Sequence, residues 1–324
     1  MSVPAIAFFN SSGGIGRTSL VYHLAWMFSD LNVRVLAADL APQAGLTAMF
    51  LPEDLLIDVW GDETRLISTR ITDELIRPIL LPFDDNLVLL PGNVALLEGE
   101  DELATKWSLA MSGIEEGVTG MSALSRSIQT AAELTEAQII LMDLGCNLGA
   151  VTRAAMISAN YIVFPLTTDL VTLQSLPHVG ATLSRWRKGW INCQNERRAG
   201  HLTPSGLMQP IGYIVQQLGT RLDHSEGLYR YWIDRIPWAY HTGVLAEPSP
   251  GISVLEDPCN LGTLRHYRSL MPMAREARKP MFHLKPADGA IGAYLQSAED
   301  ARKDFEALAK AIVAKANLPI QFAS

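Results

Sequence analysis

The sequence contains little cysteine, little charge and no long uninterrupted apolar run. Among its 324 residues are three cysteines, Cys146, Cys193 and Cys259, which lie far apart and form no Cys-x-x-Cys pair. Neither a disulfide framework nor a zinc site is therefore expected, and a reducing cytoplasm is the predicted location. Only 19% of the residues are charged whereas 48% are hydrophobic, which excludes a mainly disordered chain and predicts a sizeable core.

The sequence also lacks signals that direct a chain to a membrane. Residues 1–4 carry no basic segment ahead of an apolar stretch, so no secretory signal is predicted. The weakly charged run 154–184 is interrupted by Pro165, Asp169 and Pro177, which favours a buried strand followed by a helix over a membrane span. An amphipathic helix within 287–316 is expected to pack on the body of the protein, with a membrane anchor as the alternative.

Charge is unevenly distributed along the chain, whose formal net charge is −8. Residues 51–138 hold seventeen Asp and Glu against five Lys and Arg, whereas residues 265–285 hold six Lys and Arg against one Glu. This distribution excludes a uniformly basic nucleic-acid-binding protein but leaves room for a local basic face.

Short apolar runs alternate with longer segments of helical periodicity. Strands are predicted at 3–9, 34–38, 86–90, 138–142, 161–166 and 211–215, with a short candidate at 235–236 and a first helix at 18–28. Near-continuous apolar strands separated by helices predict an α/β fold with a doubly wound, mostly parallel sheet covered by helices on both faces. We expect one domain over 1–324, with an acidic insertion around 51–138, a surface excursion at 189–209 and a C-terminal helical extension around 261–318.

Polar residues follow the predicted strands at the edge where such sheets bind ligands. The first strand leads into "FFNSSGGIGRTSL" (8–20), in which glycines bring the backbone close to a ligand and a helix begins. Main-chain N–H groups and the helix N-terminus then form an anion site, and the hydroxyl of Thr18 or Ser19 suits magnesium. The generic phosphate-loop pattern GxxxxGK(S/T) fails at Ser11 and at Arg17.

A dinucleotide site is the competing interpretation of this loop, because short-chain dehydrogenases carry a similar glycine-rich turn and Asp39 suits a ribose. Those enzymes need a Tyr-x-x-x-Lys pair for proton transfer. No tyrosine of this chain is followed by lysine four residues later, so the sequence disfavours an oxidoreductase.

Further motifs follow the loop in order. They are "DLAPQAGLT" (39–47), "LLPGN" (89–93), "IILMDLGCNLG" (139–149), "VFPLTTDLVTLQSL" (163–176) and "RIPWAY" (235–240). Together with the loop they resemble the ParA/MinD-type (Soj-like) partition ATPases, the deviant-Walker branch of P-loop proteins, over roughly three quarters of the chain.

The resemblance implies ATP or ADP and Mg²⁺ as ligands. The implied nucleotide-binding residues are Gly13, Gly14, Ile15, Gly16, Arg17, Thr18, Ser19 and Pro237, and the implied metal-binding residues are Thr18, Asp39 and Asp143. Alternatives stay open: the glycines suit any tight turn, Asp39 suits a turn former, Asp143 suits a helix cap, and Arg17 suits a local salt bridge.

Three chemical positions depart from the family pattern. Ser12 replaces the lysine that reaches a partner's phosphates, Arg17 replaces the lysine that binds phosphates within the subunit, and Ala41 replaces the aspartate that positions the attacking water. Because phosphoryl transfer depends on positioning and charge stabilisation, we expect a pocket that binds nucleotide but hydrolyses it poorly or not at all. The alternative is a pseudo-ATPase that has lost the nucleotide and serves as a structural partner.

The family resemblance also implies partners: a second copy of the chain when nucleotide is bound, non-specific DNA, and a ParB-like or other protein. One helix in the basic segment is predicted to form the DNA face. Its candidate residues are Arg265, Arg268, Arg275, Arg278 and Lys279. A solvated surface without DNA is the alternative.

Overall fold

The protein is built on one eight-stranded sheet. The computed structural model describes residues 2–61, 79–195, 203–216, 231–267 and 270–322. The strands are Ala5–Phe8 (β1), Val35–Leu40 (β2), Leu81–Asp84 (β3), Leu87–Leu90 (β4), Ile139–Leu144 (β5), Tyr161–Thr167 (β6), Gln209–Gln216 (β7) and Asn260–Leu264 (β8). Their order is β3-β4-β2-β5-β1-β6-β7-β8, and all neighbours are parallel except β3 and β4. The predicted doubly wound α/β fold is confirmed.

Helices cover both faces of this sheet. They are Arg17–Asp30 (α1), Gly45–Phe50 (α2), Glu53–Gly61 (α3), Glu100–Met111 (α4), Glu115–Leu134 (α5), Ala150–Ser158 (α6), Leu170–Asn195 (α7), Ile236–Tyr240 (α8), Leu270–Ala277 (α9) and Ala293–Lys315 (α10). A π-helical turn, His241–Leu245, continues α8. Among the described residues, no helix is both long enough and apolar enough to cross a bilayer.

Successive side chains of the apolar strands point to opposite faces of the sheet, and both faces are buried. Every residue of β1, β2 and β5 is buried. Ala5 and Ala7 join the core beneath α5, α6 and α7, whereas Ile6 and Phe8 join the core beneath α1 and α10. Burial on both sides explains why these strands are apolar throughout rather than alternating.

The C-terminal segment is part of the body. Phe305, Leu308 and Ile312 of α10 are buried in the same core as α1, while Ile291, which precedes the helix, is 63% exposed. The expectation that this amphipathic helix packs on the protein is confirmed. The predicted helical extension around 261–318 is not wholly helical, however, because β8 lies at its start and pairs with β7 at the edge of the sheet.

Several sequence expectations are wrong in detail. The candidate strand at 235–236 is absent because Ile236 begins α8, where Pro237 suits the first turn. Residues 189–195 belong to α7 rather than to a surface excursion, and Trp190 is fully buried. Within the acidic stretch 51–138, the predicted strand at 86–90 is present as β4 and pairs with β2, while the expectation of an insertion there stays a prediction.

One close helix contact yields a test of this packing. A Cβ added at Gly180 of α7 would lie 2.0 Å from the carbonyl oxygen of Gly243 in the π-helical turn. We expect Gly180→Ala to lower the free energy of unfolding by about 1–3 kcal/mol or more, because backbone must move. Gly61→Ala in α3 is the matched control, since its Cβ would meet nothing within 4 Å and alanine favours helix. Urea unfolding measures both, and equal stabilities for the two variants would contradict this packing.

Candidate functional site

A glycine-rich loop joins β1 to α1 at the carboxyl edge of the sheet. Gly14 and Gly16 have φ of +73° and +82°, which glycine adopts without the penalty that a Cβ imposes. A Cβ at Gly16 would lie 2.6 Å from Oε1 of Gln216, whereas a Cβ at Gly13 would have no atom of the described residues within 4 Å. The loop is therefore packed on one side and open on the other.

Asn10 attaches this loop to the sheet. Its Nδ2 donates to the carbonyl oxygen of Pro165 on β6 at 2.7 Å, and its Oδ1 accepts from the N–H of Ser12 at 2.8 Å. Because Asn10 is 2% exposed, both hydrogen bonds are shielded from water. These two hydrogen bonds, the Asn10 clamp, attach the first turn of the loop to the ends of the neighbouring strands β1 and β6.

The N-terminus of α1 is prepared for an anion. Gly16 occupies the N-cap, and the helix has neither a side-chain cap nor an acidic residue in its first turn. The first N–H groups of a helix have no partner within the helix, and they carry about half a positive charge. Ser12 Oγ is also buried without a hydrogen-bond partner among the described residues. The loop therefore has a hydroxyl group, besides the N–H groups of the helix N-terminus, that can donate to a ligand.

A cavity of about 1020 Å³ opens beside the loop. Its lining includes residues 12–19 of the loop and α1, and Met271 and Arg275 of α9. The structure thus brings together the predicted phosphate-contacting residues of the loop. Pro237 is not among the described residues that line this cavity; it is buried in the first turn of α8.

Two carboxylates lie side by side beneath the loop. Asp39 follows the apolar residues 35–38 of β2, and Asp143 follows the apolar residues 139–142 of β5. The two aspartates lie directly opposite each other in the parallel pairing of these strands. Both are fully buried. Asp143 accepts the Thr18 hydroxyl at 2.7 Å. The predicted metal-binding residues Thr18, Asp39 and Asp143 are therefore assembled in one place.

A hydrogen-bonded network supports Asp39. Its Oδ2 accepts from both the N–H and the hydroxyl of Thr47 at 2.8 Å, and its Oδ1 accepts from the N–H of Ala41 at 3.2 Å. Thr47 Oγ1 in turn accepts from the N–H of Gly92 at 2.8 Å. The carboxylate therefore lies at the centre of a rigid polar cluster.

Burial and mutual repulsion shift the protonation of this pair. Burial, together with the negative charge of Asp143, raises the pKa of Asp39 to about 7. Burial also raises the pKa of Asp143, and the charge of Arg17 and the hydrogen bond from Thr18 oppose that rise. Two adjacent buried carboxylates are stable together only with a proton or a cation between or beside them.

The guanidinium group of Arg17 forms an ion pair with one of the two carboxylates, Asp143. Its Nε donates to Asp143 Oδ1 at 3.1 Å, and its Nη1 donates to the carbonyl oxygen of Asn10 at 3.1 Å. The side chain is only 11% exposed. The local salt bridge considered from the sequence is thus the arrangement in this structure, and phosphate contact by Arg17 stays a prediction.

The donor atoms at this position fit magnesium. Carboxylate and hydroxyl oxygens from Asp39, Asp143 and Thr18 are ligands of the type that Mg²⁺ prefers, and a divalent cation would offset their charge. Ala41 offers only a buried methyl group as its side chain. No group able to orient water is available from that position.

The predicted basic helix does not form. Arg265 follows β8 and pairs with Asp304 and Asp300 of α10 at 2.9 and 3.2 Å. Lys279 pairs with Asp288 at 2.7 Å, and only Arg275 lies within α9. Arg278 donates to the carbonyl oxygen of Leu51, and Arg268 lies outside the described residues. DNA binding by this segment stays a prediction, with three of its cations bound to other groups of this chain.

Two polar residues of the site escaped the sequence analysis as individuals. Asn10 had one signal, its place directly after the first strand. Gln216 had no such signal, because it lies on β7 and its contact with Gly16 is made only in the folded protein. Its buried Nε2 has no hydrogen-bond partner among the described residues. Their roles depend on contacts between segments far apart in the chain.

The charge of Asp39 has a measurable consequence. Because its folded pKa of about 7 exceeds that of the unfolded chain, about 4, its contribution to stability is present at low pH and lost as pH rises through 7. Asn at position 39 loses hydrogen bonds from Thr47 or Ala41 at every pH, so the pH-dependent part of its effect is the informative one. We expect the effect of Asp39→Asn on the free energy of unfolding, measured in EDTA, to be more favourable at about pH 8.5 than at about pH 5 by on the order of 3 kcal/mol.

Urea unfolding at the two pH values checks this expectation. Asp58→Asn on exposed α3 is the matched control and is expected to leave stability unchanged at both. An effect of Asp39→Asn that is equal at the two pH values would contradict a raised pKa of Asp39.

Comparisons with known proteins agree with this geometry. The family model described as an AAA domain (AAA_31) matches residues 3–194. A replication protein A of Rhizobium rhizogenes is 30% identical over 177 residues, which are 53% of this chain and 42% of that protein. The chromosome-partitioning ATPase Soj of Thermus thermophilus is 25% identical over 187 residues, 58% of this chain and 64% of that protein. The matched region thus spans less than two thirds of either relative.

A solved structure shares the fold over nearly the whole chain. A plasmid partition protein from Borrelia burgdorferi, crystallised with AMPPNP, superposes with a TM-score of 0.64 at 16% identity, covering 97% of this chain and 99% of that one. The family match extends over more than half of the sequence. The chain therefore belongs to the AAA domain family, as a ParA/MinD-type P-loop ATPase.

Proposed function

We propose that the protein is an ATP-gated dimerisation switch that acts in the cytoplasm in DNA or plasmid partitioning, or in a related process, with slow or absent ATP hydrolysis. The observation that carries the proposal is the Thr18 hydroxyl on the buried Asp39–Asp143 pair, directly beneath an open glycine loop. A nucleotide–magnesium complex is the ligand class that uses all of these groups together.

Each part of the site has a role in holding that ligand. The N–H groups of the loop and of the first turn of α1 would bind phosphate oxygens. Thr18, Asp143 and Asp39 would hold Mg²⁺, which neutralises phosphate charge when bound. Arg17 would release Asp143 as the metal arrives, and its guanidinium would then be available to phosphate.

The same residues explain why turnover would be slow. Ala41 has no atom that can orient or deprotonate water, and Ser12 carries no charge to stabilise a partner's phosphates. Removing groups that act only in the transition state costs several powers of ten in rate while leaving ground-state binding intact. The site would therefore hold ATP for long periods, which suits a switch in which dimer formation follows binding.

The relatives support this direction. The Thermus protein is a chromosome-partitioning ATPase, and the Borrelia protein is a plasmid partition protein crystallised with an ATP analogue. A pseudo-ATPase is the second candidate, and the Arg17–Asp143 ion pair favours it, since this pair neutralises the metal-binding carboxylate without a ligand.

Gly13 separates nucleotide binding from folding. A Cβ at this position meets no atom within 4 Å in the part of the chain that the structure describes, so Gly13→Ala is expected to keep the melting temperature of the free protein, yet its methyl group would occupy the space of a bound phosphate. Millimolar ATP with Mg²⁺ should stabilise the unaltered protein by about 3 kcal/mol at 100 times Kd, seen as a rise of several degrees in a thermal shift assay. Gly13→Ala should lose this rise.

Two further measurements complete this test, namely the same thermal shift assay without Mg²⁺ and light scattering with and without ATP. The rise should need Mg²⁺ and should accompany a doubling of the molecular mass, while Gly61→Ala responds like the unaltered protein. No thermal shift and no mass change with any adenine nucleotide would overturn the switch in favour of the pseudo-ATPase.

Restoring the family residues tests the account of slow hydrolysis. We expect the combined variant Ser12→Lys, Arg17→Lys, Ala41→Asp to hydrolyse ATP about 100-fold faster or more than the unaltered protein, because it regains both cations and the water-positioning carboxylate. Phosphate release under saturating ATP is the measurement. Equal rates in the two proteins would show that other residues perform the chemistry.

A further inference from the structure

A second polar cluster lies where β8 begins, away from the glycine loop at the carboxyl ends of the strands. It consists of His241 in the π-helical turn, Asp257 in the following loop, and Cys259 next to β8. One donor atom of each residue lies within 4.8 Å of the other two. Asp257 is 4% exposed and His241 8%, and neither contributes to the nucleotide site.

We propose that His241, Asp257 and Cys259 form a binding site for a divalent transition metal, with zinc as the best match. An imidazole nitrogen, a thiolate and a carboxylate oxygen are the ligand types of zinc, and three protein ligands leave a fourth position for water. Magnesium and calcium prefer oxygen ligands alone, so the cluster discriminates against the metal of the nucleotide site.

The distance between two of the ligands fits tetrahedral coordination. His241 Nε2 and Asp257 Oδ1 are 3.2 Å apart. Bonds of about 2.0–2.1 Å from zinc to nitrogen and oxygen place neighbouring ligand atoms of a tetrahedron about 3.3 Å apart. Little rearrangement of this pair is needed for a metal to enter.

A hydrogen bond orients one of the ligands. Tyr213 Oη donates to Asp257 Oδ2 at 2.8 Å, while Asp257 Oδ1 accepts from the N–H of Cys259 at 2.8 Å and keeps a second lone pair for a metal. Glu247 Oε2 lies 3.6 Å from His241 Nδ1. A metal bound to Nε2 would leave the proton of the imidazole on Nδ1, facing this carboxylate, and carboxylate partners are typical of zinc-binding histidines.

A buried hydroxyl supplies a second, independent observation. Tyr240 is fully buried, and its Oη has no hydrogen-bond partner among the described residues. The ring of Tyr240 lies 5.1 Å from that of Tyr213, whose hydroxyl donates to Asp257, and 6.1 Å from that of His241, so this side chain packs beside the cluster. An unpaired buried hydroxyl is costly, and water in the fourth position of the metal would pair with it.

The thiol is protonated until a metal arrives. Burial and the neighbouring Asp257 raise the pKa of Cys259, which makes it a poor free nucleophile at neutral pH. A divalent cation reverses this preference, because metal binding displaces the thiol proton to solvent and forms the thiolate ligand. The bound metal would fasten the loop between α8 and β8 to the sheet.

Cobalt spectroscopy on the full-length protein tests the site. After treatment with a chelator, one equivalent of Co²⁺ should produce a thiolate-to-cobalt charge-transfer band, and one equivalent of Zn²⁺ should abolish it. A cobalt ion bound at the oxygen ligands of the nucleotide site gives no such band. Metal analysis of protein re-loaded with zinc should give one ion per chain.

Variants identify the ligands. Cys259→Ser should lose the band and should bind zinc about 100-fold more weakly or worse, and Tyr213→Phe, which removes a positioning hydrogen bond, about 10-fold more weakly. Cys193→Ser is the matched control, because this buried cysteine lies on α7, and it should keep the band. Melting temperatures without metal show that each variant folds.

Two results would overturn the proposal. One is the absence of a thiolate band in the folded, chelator-treated protein at a several-fold excess of Co²⁺. The other is unchanged zinc affinity in Cys259→Ser, or loss of the band in Cys193→Ser with Cys259 intact. Either result is independent of ATP binding, so the proposed switch stands or falls separately.

Discussion

The site depends on the electrostatic repulsion between Asp39 and Asp143. Parallel pairing of β2 and β5 places the two side by side, and burial removes the water that would screen them. The site is therefore stable only when a proton, an arginine or a metal ion offsets the charge. Thr18 and Arg17 both reach Asp143 from the first turn of α1, so the glycine loop is held in place by the same carboxylate that a magnesium ion would use.

Arginine at position 17 changes what this arrangement can do. Its planar guanidinium donates to a carboxylate through one nitrogen and to the Asn10 carbonyl through another, which a lysine ammonium cannot do with the same fixed geometry. The proposed switch therefore has a built-in competitor for the metal: the free state is stabilised by an ion pair that ligand binding must exchange. With alanine at position 41, the proposed switch would hold a nucleotide rather than cleave it.

Charge in the C-terminal segment serves the fold. Arg265 joins β8 to α10 through two aspartates, and Lys279 joins the end of α9 to Asp288. These contacts attach the last strand and the last helix to the body. Cations that look like a surface patch in the sequence are thus partly neutralised by acidic residues 9 to 39 positions away.

The sequence by itself determined the parallel sheet, the phosphate-type loop and the two carboxylates at the ends of β2 and β5. These features depend on local patterns: strands buried on both faces must be apolar along their length, and a tight turn needs glycine. The edge strands β3 and β8 escaped notice because Pro82, Asn260 and Gly262 obscure their pattern.

Only the tertiary structure decided which side chains meet. The Asn10 clamp on Pro165 and the Arg17–Asp143 ion pair join residues 155 and 126 positions apart. The His241–Asp257–Cys259 cluster lies close together in the chain but carries none of the short spacings that mark metal sites, and a loop folded against β7 brings its atoms together. Side-chain contacts of this kind follow from the packing of whole elements, which no local pattern encodes.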